Sequence, residues 1–160
     1  MDTIVSKDNS IIKEVKKLKE RKYRREENKF LVEGFRFVSE ALDSDFNVLQ
    51  IFLCDNSLDK YKSFHINDRV KRDTKVYLLK ENVFKTISST DTPQGIIAVV
   101  DNKSLKISDI NGFYVLVDKI QDPGNMGTII RTAHAAGALG IITTKGTVDI
   151  YNEKTLRATM

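Results

Sequence analysis

Little in this 160-residue chain can form a cross-link or hold a metal. Cys54 is the single cysteine, which excludes an intrachain disulfide and a cysteine-based zinc site. The two histidines, His65 and His134, lie far apart in the chain, so no metal centre is expected. No apolar run approaches the roughly 20 residues needed to span a bilayer. The opening MDTIVSKDNS lacks the basic-then-apolar pattern of a signal peptide. The expectation is a cytoplasmic chain with no membrane partner. No internal repeat or low-complexity tract is evident. Hydrophobic content is an ordinary 41%, enough for a core, and the length suits one domain or two small ones.

Charge is present but unevenly spread. The net charge is only +4. Between Lys13 and Lys29, nine cations face four acids, a local excess of five, so the rest of the chain is slightly acidic. A basic segment on a near-neutral body favours a polyanion such as nucleic acid. A solvated amphipathic helix with partial charge balance is the commoner reason for such a run. Asn9 or Ser10 suits a helix cap, and Ile11, Val15 and Leu18 then fall on one face. The best positions for phosphate contact are Lys22, Arg24 and Arg25. Tyr23 and Phe35 are of the type that stacks on a base, although core packing is more common for both.

Apolar runs then alternate with amphipathic stretches. Strands are expected at Phe30–Val32, Val48–Cys54, Val76–Leu79 and Ile96–Val100. Helices are expected at Phe35–Leu42, Leu58–Phe64 and Asn82–Ile87, the last capped by Glu81 or Asn82. Thr92-Pro93-Gln94-Gly95 is a turn. This alternation predicts an α/β sandwich. Cys54 ends a buried strand and reads as a small hydrophobe, not a reactive thiol. Glu33 reads as an organiser of backbone or a partner for a cation. The polar stretch 101–112 reads as a linker.

Leu116–Gly140 reads as strand, polar loop, helix, with a second strand at Ile141–Thr143, the unit that places ligands at the carboxyl end of a parallel sheet. Its helix is expected to bury Met126, Ile129, Ile130, Ala133 and Gly137. Asn125 sits at the loop–helix junction, where it either caps the helix or touches a ligand. Arg131 is a lone cation on the helix, whose default role is an ion pair. His134 has the right pKa range for a base but reads as a surface or core residue. A dinucleotide site is disfavoured, because Gly124-Asn125-Met126-Gly127 is G-x-x-G, not G-x-G-x-x-G.

The run from Val117-Asp118 through Asp122-Pro123-x-Asn125-x-Gly127-x-x-x-Arg131-Thr132-Ala133-x-Ala135-x-Gly137 resembles the first motif of SpoU/TrmH-type RNA ribose methyltransferases. Upstream, Lys22-Tyr23-Arg24, Phe30-Leu31-Val32-Glu33-Gly34 and Thr92-Pro93-Gln94-Gly95-Ile96 resemble the substrate-binding domain of that family. The resemblance implies an α/β chain with a ribosomal-protein-like α/β/α sandwich over 1–100. It further implies a 101–112 linker and the first strand–helix–strand part of a SPOUT, or trefoil-knot, methyltransferase domain over 113–160, with the knot absent. It also implies 2′-O-methylation of a ribose in RNA, most simply ribosomal RNA, with S-adenosylmethionine as cofactor and a homodimer for the complete enzyme. Asn125 and Arg131 match the motif's catalytic asparagine and arginine.

The family's second and third motifs, which supply the cofactor-binding residues, are expected beyond Met160. The chain is therefore expected to be a truncated form, inactive alone and without tight S-adenosylmethionine binding. A non-catalytic RNA-binding module is the alternative. Arg131 is better suited to clamp phosphate or stabilise an alkoxide than to act as a base, since a guanidinium pKa lies above about 12.

Overall fold

The computed structural model describes residues 1–103, 106–107 and 111–160. The chain divides into two compact units, Met1–Lys103 and Ser104–Met160.

In the first unit the elements run β1 (Asp2–Ile4), α1 (Ser10–Lys17), α2 (Arg21–Glu27), β2 (Lys29–Glu33), α3 (Phe35–Asp43) and β3 (Val48–Cys54). They continue with α4 (Leu58–Ser63), α5 (Ile66–Arg69), β4 (Lys75–Leu79), α6 (Glu81–Ile87) and β5 (Ile96–Asp101). The strands form one sheet in the order β1-β4-β3-β5-β2. β1, β4 and β3 are mutually parallel, and β5 runs antiparallel to both β3 and β2. The carboxyl ends of β1, β4, β3 and β2 therefore share one edge of the sheet, beside the start of β5.

Helices cover both faces. On one, Ile12, Val15 and Leu18 of the α1 segment meet Val83, Phe84 and Ile87 of α6 over Phe52, Tyr77, Ile97 and Val99. On the other, α3 packs on β2 and β5 with Phe35 and Val38 buried. This explains why IIAVV shows no polar alternation: Ile96 to Val100 are all buried, as in any strand covered twice.

Several details depart from the sequence expectations. β1 is an addition, too short to carry a pattern and with only Ile4 buried. The first helix is turned by one position, so that Ile12 is fully buried and Ile11 only partly. Asn9 is the cap, accepting from the Ile11 N–H at 2.9 Å. Lys80, not Glu81 or Asn82, stands at the N-cap of α6 and makes no side-chain cap bond. β5 continues through Asp101, which pairs with Lys29 and so removes the first residue of the expected linker. Residues 104–105 and 108–110 of that linker lie outside the described residues.

The second unit holds β6 (Tyr114–Val117), α7 (Pro123–Ala135), β7 (Gly140–Thr143) and α8 (Glu153–Ala158). β6 and β7 are parallel, with Leu116 opposite Ile142 and Val117 opposite Thr143. α7 buries Met126, Gly127 and Ala133. Ile129 and Ile130, expected in the core, are only half-buried, and Gly137, expected there too, is exposed. On the sheet, Leu116 is 67% exposed and its partner Ile142 is 36% exposed. Among the described residues, no helix of either unit is long and apolar enough to cross a membrane.

Candidate functional site

The loop after β6 is built on short-range polar bonds. Asp122 caps α7, its Oδ1 accepting the Asn125 N–H at 2.7 Å, and Pro123 takes the first helical position. The capping role that sequence left open for Asn125 thus belongs to Asp122. Asn125 lies in the first turn, exposed. The loop is fastened to the one after β7: the Thr144 N–H donates to the Val117 carbonyl at 3.0 Å, the Thr144 hydroxyl to Asp118, and the Val148 N–H to the Ile120 carbonyl at 2.7 Å. Both strand ends are held as one polar rim, the position where open α/β sheets bind ligands.

Arg131 lies six residues after Asn125, about 9 Å further along the helix axis and about 120° around it. The two side chains therefore offer polar groups to different parts of a ligand. Arg131 is exposed, and its Nη1 donates to the Met160 carbonyl at 3.3 Å. Among the described residues no acidic side chain gives it the ion pair that is the default for a lone helical arginine. Met160 is brought there by α8, which crosses α7 at Gly127. A Cβ on Gly127 would stand 2.4 Å from the Ala158 Cβ and 2.7 Å from the Ala158 carbonyl carbon. Nothing in the sequence pairs those two residues in advance. His134 is exposed.

In the first unit the basic segment is not one helix but two that meet at a corner between Leu18 and Glu20. Arg24 is 5% exposed, and its Nη1 donates to the Leu18 carbonyl at 2.8 Å and the Lys19 carbonyl at 2.7 Å. It satisfies the carbonyls that the end of α1 leaves open. This corrects the expectation that Arg24 contacts phosphate, because its guanidinium is committed inside the protein. Lys22 and Arg25 project outward. The Lys22 ammonium is 3.9 Å from Glu26 and 5.5 Å from the centre of the Tyr23 ring, and Lys17 reaches the same ring at 5.7 Å. Phe35, the other stacking candidate, is 2% exposed and packs on Phe64, as core residues do.

The remaining motif residues cluster where strands end. Glu33 accepts from the Ser88 hydroxyl at 2.6 Å, the Thr90 hydroxyl at 2.8 Å and the Ser89 N–H at 3.0 Å. Lys19 donates to the Ser88 carbonyl at 2.6 Å. Gln94 accepts the Phe35 N–H at 3.1 Å. Gly95 has φ +93°, and a Cβ there would lie 1.9 Å from the Ser57 hydroxyl oxygen. These residues shape the edge of the sheet, so Glu33 organises backbone as its sequence position suggested. Nearby, burial pushes the Cys54 thiol up, while the hydrogen bond from Lys80 at 3.0 Å holds the Asp55 carboxyl down. A raised thiol pKa fits a structural cysteine. A cleft of about 420 Å³ opens beneath α1, where Lys17, Lys29 and Lys75 alternate with Glu14, Glu27 and Asp73.

Comparison with known proteins agrees with this division. Residues 9–98 match the MRM3-like substrate binding domain, and residues 112–160 match the SpoU rRNA methylase family. The chain is 38% identical over 158 residues to the 23S rRNA (guanosine(2553)-2′-O)-methyltransferase RlmP of Bacillus subtilis, covering 99% of this chain and 60% of that protein. It is 33% identical to the mitochondrial rRNA methyltransferase 3 of Xenopus laevis, over 96% of this chain and 38% of the relative. Among solved structures, an AdoMet-bound rRNA methyltransferase from Sinorhizobium meliloti superposes with a TM-score of 0.81 at 33% identity, covering 99% of this chain and 60% of that one. The SpoU methyltransferase AviRb of Streptomyces viridochromogenes, with AdoMet, gives 0.83 at 26% identity, over 94% and 58% of the two chains.

Proposed function

Because the chain belongs to the SpoU rRNA methylase family and carries an MRM3-like substrate-binding domain, we propose that it serves an RNA ribose 2′-O-methyltransferase acting on ribosomal RNA. In this reading residues 1–103 hold the RNA and residues 113–160 contribute to the reacting centre. The observation that carries it is Arg131: an exposed guanidinium on the helix that follows the fastened loop, with a main-chain carbonyl as its contact.

Methylating a ribose hydroxyl requires that the hydroxyl be aligned, that its proton leave, and that the neighbouring phosphate be held. Arg131 suits the last task and the stabilisation of a developing alkoxide, because its planar fork binds oxyanions in two places at once. Asn125 offers a donor and an acceptor at the loop, enough to orient the hydroxyl. The proton then passes to phosphate or water, not to the guanidinium. S-adenosylmethionine is the proposed cofactor and supplies the methyl group when bound. Its adenine needs an enclosed apolar slot, whereas the apolar pair Leu116 and Ile142 is open to solvent. The described residues alone therefore do not fit the whole cofactor. In the first unit, Lys22 and Arg25 are the phosphate contacts, held in place by the corner that Arg24 closes. A homodimer is part of the same proposal for the complete enzyme.

The test is methyl transfer from labelled S-adenosylmethionine to rRNA by the full-length protein. Arg131→Ala is expected to lower turnover at least a hundredfold, as for loss of one oxyanion-stabilising group, while RNA binding falls by no more than the loss of one phosphate contact. Full activity in that variant would remove Arg131 from the mechanism. RNA binding with no turnover in the unaltered full-length protein would overturn the enzymatic reading.

A further inference from the structure

Two lysines from different helices converge on one ring. Lys17 is the last residue of α1 and Lys22 the second of α2, and both ammonium groups lie within 6 Å of the centre of Tyr23. The convergence depends on the corner between the helices, which the buried Arg24 fixes through the Leu18 and Lys19 carbonyls. We propose that Tyr23 is a stacking platform for one unpaired RNA base, with Lys17 and Lys22 taking the phosphates beside it. The proposal rests on the reading of residues 1–103 as the RNA-holding part.

The ring has the form such a platform needs. It is half-buried, so its body is held, and the Lys22 side chain beside it is 69% exposed. Both ammonium groups stand over the ring, so a base reaches its π-face as the lysines give way. Lysine stems are flexible enough to swing aside and follow the phosphates. Aromatic faces flanked by cations recur in single-strand binding because every base has a face to stack, whereas a duplex offers only its edges and backbone.

The surroundings favour this place over the adjacent cleft. The cleft's three lysines are opposed by three acids and present no net charge to a polyanion. Lys17 and Lys22 at Tyr23 belong to the Lys13–Lys29 segment, whose excess of five positive charges includes the buried Arg24.

The experiment uses the whole chain and two labelled probes, a twelve-nucleotide oligouridylate and a twelve-base-pair RNA duplex, read by fluorescence anisotropy across a salt series. Tyr23→Leu is expected to weaken oligouridylate binding about tenfold with the salt slope unchanged, and Tyr23→Phe to stay within about twofold of the parent, since the ring does the stacking. Lys17→Gln and Lys22→Gln should each lower the slope by about 0.7. A strand carrying 5-iodouridine should photocrosslink to the peptide containing Tyr23, a readout that needs no substitution. Unchanged oligouridylate binding by Tyr23→Leu, equal loss on the duplex, or crosslinking only elsewhere overturns the platform while leaving RNA binding in place. Failure of the parent chain to bind either probe overturns the RNA-holding reading itself, and the platform with it.

Discussion

Gly127 and Ala158 meet so closely that the glycine's missing side chain is part of the contact between α7 and α8. An added Cβ would be 2.4 Å from the Ala158 Cβ and 2.9 Å from its carbonyl oxygen. Gly127→Ala should therefore push α8 away and cost about 1–3 kcal/mol, the range for overpacking a tight contact. Ala158→Gly in the same chain should recover only part of this, because the main chain of residue 158 still lies 2.7 Å from the new methyl. Thermal denaturation of the two single variants and the double variant measures the cycle. An unchanged midpoint for Gly127→Ala would show that the helices do not touch there.

Arg24 and Arg25 are neighbours with opposite fates. Arg24→Ala leaves carbonyls of Leu18 and Lys19 without their donor in a buried place, an expected loss of about 2–4 kcal/mol. Arg25→Ala, at an exposed position, should change stability by no more than about 0.5 kcal/mol while reducing the salt dependence of RNA binding. Denaturant titration and RNA titration on the same two proteins separate the effects. Equal stability of both variants would contradict the corner.

The tyrosines set the alkaline limit. Burial raises the phenols of Tyr61, Tyr77 and Tyr151, helped respectively by the nearby carboxylates of Asp68, Asp2 and Asp149. Their folded pKa values lie above the unfolded value of about 10. The stability tied to these groups is therefore complete below about pH 10 and declines as pH rises from there through the folded values. Ultraviolet titration of the phenolates, followed together with circular dichroism, should show these three ionising late and in step with unfolding. Ionisation of all three near pH 10 in a folded chain would contradict their burial.

The sequence carried some of this architecture plainly and some not at all. β3 and β5 were legible because seven and six residues of near-continuous apolar character leave little else to be. α7 was legible from its loop chemistry, with Pro123 just inside the helix. The role of Asn125 stayed open because Asp122 and Asn125 are both good caps, and only the backbone bond tells them apart. Ile129 and Ile130 looked like core by periodicity, yet a two-stranded sheet is too narrow to cover the full width of the helix face. Arg24 was misread for a different reason. A buried guanidinium is invisible in a run of nine cations until the break between α1 and α2 is known, and that break has no proline or glycine to announce it.

That break also separates two kinds of selection. The corner is secured from inside by one residue, so the outward positions at Lys22, Arg25 and Glu26 do not have to support the fold. Changes there can accumulate with little penalty to folding. The outer face of α2 is thereby free to change its charge without disturbing the corner, which the interior guanidinium holds.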